Sequence, residues 1–445
     1  MKSEPSQRLK RVLSRRDLII YGLVILTPTA PYPVIGVVQQ ASGGHATLSY
    51  LVAMVAMLFT AASYARMSLE FPAAGSTYTY VQRGLNEHVG FLAGWAMLLD
   101  YLLIPLLSVV YASLTAARLL PAVPYMAWAV LFTLAITLAN ARGIRTTVRA
   151  NTFLMAIMSV SAILFAVLAI ATATAQGGAA ALWSPTALYN PETFSLRGVM
   201  LGAGISALSY IGFDAVTTLA EDSKDPLRDV GFATVAVCVV QTAICAITVY
   251  LATLVWPLYR TFPSAETAIL DIGGRIGGAW MLGWITFVLL VAALASAMTG
   301  QAGASRLLLG MGRDGALSRR LFGQLDAESG TPVRAIWFLG AATLAGSFLA
   351  GFQLIVELLN FGAFAGFILV NCTVINHFYL KGRGSRNWWR DCAAPLAGAL
   401  VCAYLWLSLS NSAKAAGAAW LALGAVYLAV LTRCFRFAPK QMEVG

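Results

Sequence analysis

Charge is scarce in this sequence. Lysine, arginine, aspartate and glutamate make up 11% of its 445 residues, where a soluble domain carries about 25%. That shortage excludes an ordinary water-soluble globule. Histidine is scarcer still, and His45, His88 and His377 stand too far apart to suggest a metal cluster. The six cysteines, Cys238, Cys245, Cys372, Cys392, Cys402 and Cys434, show no C-x-x-C or Cys/His spacing. Neither a disulfide framework nor a zinc site is expected from them. There is no Walker motif, and "GMGRDG" (310–315) follows a helical stretch rather than a strand, so neither a P-loop nor a dinucleotide fold is indicated. No catalytic triad stands out, and neither a soluble domain nor a long low-complexity linker interrupts the chain. Catalytic residues, metal ligands and cofactors are all expected to be none, with a proton or sodium as a possible coupling ion.

Apolar residues, by contrast, fill 59% of the chain, and the mean hydropathy is +0.75. A spanning helix needs about 20 of them in a row. Such runs lie near 18–40, 47–67, 90–118, 122–140, 150–175, 198–220, 230–256, 277–305, 333–350, 352–380, 393–410 and 413–432. They predict an all-α polytopic membrane protein with twelve transmembrane helices.

The net charge of +11 invites a nucleic-acid partner, but its placement argues otherwise. With the loops assigned to alternate sides, 25 of the 30 Lys and Arg fall on one side. They include the N-terminal arm, Arg66, Arg83, "ARGIRTTVRA", Lys224, Arg228, and the stretches 306–334 and 381–390. The other side keeps Arg118, Arg197, Arg260, Arg275 and Lys414. This is the positive-inside pattern, so both termini are expected in the cytoplasm and the partners are a lipid bilayer and a small molecule, not nucleic acid. The start, "MKSEPSQRLKRVLSRRDLIIYGL", has the outline of a signal peptide, but no convincing cleavage site follows. Residues 1–17 are read as a basic cytoplasmic arm and 433–445 as a cytoplasmic tail.

Two spans are interrupted. "VILTPTAPYPVIGVV" (24–38) carries Pro28, Pro31 and Pro33, each of which removes a backbone donor and clashes with the preceding turn. Five helices later, "GVMLGAGISALSYIGFDAVTTLAEDSKDP" is interrupted near "SYIGFD". Broken helices at corresponding places in two halves point to a transporter built from inverted repeats. Residues 18–175 and 198–380 are then the two five-helix repeats, with two helices appended over 393–432. A break at mid-membrane is tolerated where protein or a cavity satisfies the freed backbone groups. A proline kink in a packed helix is the plainer alternative.

A charge at the bilayer centre costs roughly 2.5–3.5 kcal/mol on insertion scales. Asp100 in "GWAMLLDYLLIPLL" and Asp214 in "SYIGFDAVTTLAED" fall within spans, and Glu357 lies near the start of another. Asp214, two residues after Gly212, can carry a coupling proton, pair with a cationic substrate group or act as a gate. The structural alternative is a carboxylate that accepts hydrogen bonds from freed backbone amides. Glu221, Asp222, Asp225 and Asp229 read as a solvated face paired with Lys224 and Arg228, with an inner-gate latch as the alternative role for that run. Tyr32, Tyr210 and Phe213, near the breaks, can close over a substrate or stack on a cation; packing is the commoner role of aromatics in spans.

In combination, "AMLFTAASYARMSLEFPAAGSTYTYVQRGL", "GFLAGWAMLLDYLL", "SYIGFDAVTTLAEDSKDPLRDV", "GASRLLLGMGRDGALSRRLF" with "TPVRA", and "LLNFGAFAGFILVN" carry a family likeness. Over nearly its full length the chain resembles the amino acid–polyamine–organocation superfamily, most like its putrescine-importer branch. The resemblance implies a twelve-helix fold with a five-plus-five inverted repeat and alternating-access secondary transport. It places substrate between the broken first and sixth helices. The matching positions are Thr29, Ala30, Pro31 and the neighbouring Tyr32 in the first, and Ser209, Tyr210, Ile211, Gly212 and Phe213 in the sixth. Ile104 and Pro105 on the third helix and Thr299 and Gly300 on the eighth would face the same site, with Asp214, Asp100 and Glu221 as coupling or gating candidates.

The chain also departs from the family pattern. Pro31 offers no N–H where the family's backbone meets an amino acid carboxylate. The putrescine importers have an Asp where Pro33 or a neighbour stands here. The fifth helix lacks the Lys that some proton-coupled relatives use, while Ser296 and Thr299 can offer oxygens to sodium. The expected function is import of an amino acid or related amine across the cytoplasmic membrane, and not enzymatic. The alternatives are a putrescine or polyamine importer using Asp100 and Asp214, or an exchanger. A sensor that kept the fold is the rival from another class.

Overall fold

A computed structural model describes residues 11–432, apart from 74, 266, 314, 316, 327–328, 350–351 and 383–386, and apart from the side chains at 118–119, 144–148, 151, 352–353 and 357. Residues 1–10 of the expected basic arm, the tail at 433–445 with Cys434, and the Glu357 side chain lie outside the described residues.

The described chain is helical. Eight helices are long and apolar enough to cross a membrane: 46–70, 87–117, 152–177, 196–222, 226–255, 268–313, 354–380 and 411–431. Two shorter apolar helices lie at 125–141 and 333–349. Their outward faces are apolar too, with Phe153, Ile163, Val167, Leu400 and Val430 all more than half exposed. Water would disfavour that surface, and lipid suits it. The protein is a multi-pass membrane protein.

Local sequence explains the element boundaries. The first helix, α1 (Arg15–Leu26), opens on a capping box in which Ser14 and Asp17 bond reciprocally. After the first break comes α2 (Ile35–Ala41), then α3 (Ala46–Glu70) and a short, buried α4 (Ser76–Gly84) that no apolar run announces. Asn86 caps α5 (Glu87–Leu119) through its side-chain oxygen, and α5 continues past Pro105. Two further helices, α6 (Tyr125–Ala141) and α7 (Ile144–Gly177), complete the first half.

The second half begins with α8 (Leu196–Ser206), which tightens into 3-10 turns at 207–210 and again over Phe213–Asp222. Then come α9 (Pro226–Val255), α10 (Ala268–Arg313, kinked at Gly278), the one-turn α11 (Arg319–Phe322), α12 (Val333–Leu349) and α13 (Phe352–Val374). Finally, α14 (Ala394–Leu407) and α15 (Asn411–Leu431) lie at the edge, α14 against α3 and α13, and α15 against α5 and α13.

The core is organised on α10. It packs along α5, while α3 packs along α9 and α13 covers the other side of α5. Small residues permit the closest approaches. A Cβ on Gly300 of α10 would stand 2.4 Å from Ile104 Cγ2, and one on Gly362 of α13 would stand 2.6 Å from the Ala96 carbonyl oxygen. Close backbone contact through small residues is how helices associate where no hydrophobic effect separates protein from lipid.

Candidate functional site

Both expected breaks occur where the sequence placed them. In the first, α1 stops at Leu26, Thr27 takes φ 57°, and the chain turns three times before α2. Each turn is closed by a short backbone bond: Ala30 to Thr27, Tyr32 to Thr29, Val34 to Pro31. Prolines at 28, 31 and 33 forbid a continuous helix, because each removes a donor that the i→i−4 ladder needs and clashes with the preceding turn.

The second break is made differently. Ile211 is extended, Gly212 lies at φ 113°, and a 3-10 helix then resumes at Phe213. Only glycine adopts that φ without strain.

The breaks meet in space. Gln241 of α9 donates through Nε2 to the Thr27 carbonyl at 2.8 Å and reaches the Ser209 carbonyl at 3.5 Å, so one amide serves a carbonyl from each interrupted helix. A Cβ added to Gly212 would stand 3.4 Å from Ile25 Cγ1. Ser296 of α10 donates to the Ile25 carbonyl at 3.0 Å, and Tyr21 donates to the Thr299 carbonyl at 2.5 Å. The Thr299 hydroxyl is engaged with the Ala295 and Ser296 carbonyls of its own helix.

Asp214 follows directly on the second break and is fully buried. Its Oδ2 accepts a 2.6 Å hydrogen bond from the Tyr101 hydroxyl, while its Oδ1 has no hydrogen-bond partner among the described residues. Asp100, next to Tyr101 on α5, is equally buried, and neither of its carboxyl oxygens has a hydrogen-bond partner among the described residues. The two carboxyls lie within each other's electrostatic reach. No ion pair is found for either among the described residues. A carboxylate in a low-dielectric interior needs a proton or a cation to offset its desolvation.

The other expected residues are placed as follows. Thr29, Pro31, Tyr32, Ile104, Pro105, Ser209, Tyr210, Ile211, Gly212, Phe213 and Thr299 are buried, and Ala30 is half-buried. Ile104 and Pro105 face Gly300 across the α5–α10 contact. The aromatics are held by packing: Tyr32 lies 5.6 Å from the Phe165 ring, and Phe213 sits 5.6 Å from Tyr64 and 5.2 Å from Phe367. Tyr210 donates to the Tyr50 carbonyl at 3.3 Å, and the Tyr50 hydroxyl bonds Ser209 at 3.2 Å.

Glu221 does not join this group. It lies seven residues further along the 3-10 helix and pairs with Arg313 at 2.7 Å. The acidic run around it is paired otherwise than expected from sequence, and of its four carboxylates only Asp222 is buried. Asp222 is 1% exposed and bonds Arg306 at 2.6 Å, Asp229 pairs with Arg15 at 2.8 Å, and Asp225 caps α9 by accepting from the Arg228 amide. Neither Lys224 nor Arg228 is its ionic partner among the described residues. The physical reason is burial: a carboxylate inside the protein must bring a cation with it, and removing one partner costs about 3–5 kcal/mol. Arg306, counted by sequence among loop charges, supplies that cation from inside α10.

Sequence reading missed Gln241, Tyr101 and the Asp222–Arg306 pair. Gln241 did leave a signal, as a lone amide inside the apolar run 230–256.

The site geometry can be set beside known proteins. A model of the family described as "Amino acid permease" matches residues 33–426. A low-affinity putrescine importer of Escherichia coli is 29% identical, covering 98% of this chain and 96% of its own length. A branched-chain amino acid permease of Bacillus subtilis is 26% identical over 82% of this chain and 81% of its own. A methylthioribose transporter of the same bacterium is 27% identical over 96% and 95%.

Proposed function

This chain belongs to the amino acid permease family, and from that premise we propose that it imports an amino acid or related amine across the cytoplasmic membrane by alternating access, coupled to a proton or sodium gradient. The observation that carries the proposal is the pair of interrupted helices joined through Gln241, with the buried Asp214, which has no ion pair among the described residues, beside them. Unwound backbone offers dipoles to a substrate's polar groups, and Asp214 offers a counter-charge to its ammonium. Thr29 to Tyr32, Ser209 to Phe213, Ile104, Pro105 and Thr299 surround the substrate in this reading.

Counting α1 and α2 as one broken crossing, and adding α6, α12 and α14 to the eight long helices, gives twelve crossings. Residues 18–175 and 198–380 then form the two inverted repeats, with the appended pair at 393–432. The lysine and arginine distribution puts both termini in the cytoplasm. The chain then acts as a carrier, with no catalytic chemistry of its own. Glu221–Arg313 and Asp222–Arg306 lie at the end of the second broken helix, where they would close the cytoplasmic side.

A second reading is favoured by Asp100. Its carboxyl, without a hydrogen-bond partner among the described residues and near Asp214, suits the second ammonium of a diamine, as the likeness to a putrescine importer also suggests.

The deciding experiment is uptake into proteoliposomes under imposed proton and sodium gradients, with labelled amino acids and putrescine in competing pools. Accumulation of an amino acid, blocked by its unlabelled form, supports the first reading, and putrescine uptake alone supports the second. Uptake of neither overturns both.

A further inference from the structure

A groove on the lipid-facing surface has no part in the transport reading. It lies between α3 and α9, has a volume of about 610 Å³, and is lined by Ala65, Leu69, Leu227, Arg228, Phe232 and Val239 among others. Gly231 forms its floor, where a Cβ would stand 3.1 Å from the Ala65 carbonyl oxygen. Leu227, Phe232 and Val239 are each about half exposed (51%, 55% and 49%). Its shape and apolarity suit a hydrocarbon chain.

One end of the groove is cationic. Arg228 lines it in the first turn of α9, is exposed, and makes no ion pair among the described residues. Lys224, four residues earlier, is also exposed and without an ion pair. The Arg15 guanidinium stands 4.9 Å from the centre of the Phe232 ring while it holds Asp229. Arg66, beside Ala65, is already committed to Asp391 and the Phe378 ring. Counting Asp225, which accepts from the Arg228 amide, against Lys224, Arg228 and the Arg15–Asp229 pair, one net positive charge remains at the start of α9, at the end of the slot that Arg228 lines, and it complements an anionic lipid.

We propose that this groove binds an anionic phospholipid from the surrounding bilayer, with an acyl chain between α3 and α9 and its headgroup phosphate on Arg228 and Lys224. A bound lipid braces the first turn of α9 against α3. That turn begins four residues after Asp222, the buried partner of Arg306. Lipid identity is thereby linked to the end of the second broken helix.

The test uses the full chain purified into nanodiscs of phosphatidylcholine with or without phosphatidylglycerol, and native mass spectrometry to count retained lipid. Wild type is expected to retain phosphatidylglycerol preferentially. Arg228→Glu is expected to lower that preference by about fivefold or more, the worth of one cation near an anionic surface. Arg319→Glu, the same charge change on the exposed α11, should leave it unaltered. Val239→Trp, which fills the slot while keeping Arg228, should also lower retention. If Arg228→Glu shifts the unfolding midpoint, Arg228→Gln is used in its place. Equal retention by wild type and the Arg228 variant, or unchanged retention in Val239→Trp, overturns the proposal.

Discussion

The two helix breaks do the same geometric job by opposite means. The first, at 27–34, uses prolines, which remove donors, and the turns close on themselves with bonds such as Tyr32 to Thr29. The second, at 211–212, uses a single glycine at φ 113°, which leaves the amides in place and resumes helix at once. The first break is therefore poor in donors and carries no charge, and the second keeps its donors and presents Asp214. On the proposed function, recognition of charge falls to the second helix and shape to the first. In a repeat whose halves were equivalent, each would carry some of both.

Four changes test that division, from the largest effect to the smallest. Asp214→Asn keeps the size of the side chain and an acceptor for Tyr101 but removes the charge. Losing a charged hydrogen bond worth about 1.5–3 kcal/mol lowers uptake by roughly 10- to 100-fold, measured as initial rate at matched expression. Normal uptake by this variant would remove Asp214 from the charge-handling role. Gln241→Leu cuts the tie between the breaks and leaves the Thr27 carbonyl unpaired. It should cost about 1–3 kcal/mol in detergent unfolding, and no loss would mean the breaks are held independently.

Gly212→Ala forces a side chain into a left-handed conformation. The new Cβ meets Ile25 only at ordinary contact distances of 3.4 Å and beyond, so the cost is backbone strain, about 1–3 kcal/mol, read from the same unfolding midpoint. Pro31→Ala restores an N–H to the first break. Stability should move by less than about 1 kcal/mol, while competition assays should show uptake shifting toward substrates that carry a carboxylate. An unchanged preference would mean the first break does not meet the substrate's polar end.

Much of this was legible in the sequence, because the signals are local. Three prolines in fifteen residues cannot form a helix, and a glycine beside an aspartate in an apolar run marks a second interruption. What escaped is non-local. Nothing near Asp222 announces that its cation is Arg306, 84 positions away, and the expected pairing with Lys224 and Arg228 rested on sequence proximity. Tyr101 was hidden for the same reason: its hydroxyl matters only because α5 brings it to Asp214, 113 positions further on. The short helix α4 was missed because its nine residues, STYTYVQRG, are too polar to mark an apolar run, although eight of them are buried.

The contacts of α1 and of the residues just before it also set a timetable. Val12 and Leu13 bond the Asp222 carbonyl, and Tyr21 of α1 bonds the Thr299 carbonyl, 278 positions downstream. At synthesis rates of about 5–20 residues per second, α1 emerges roughly 15 to 55 seconds before Thr299 exists to receive it. The segment is therefore made long before its last neighbours, and until they arrive the Tyr21 hydroxyl must find its partner elsewhere.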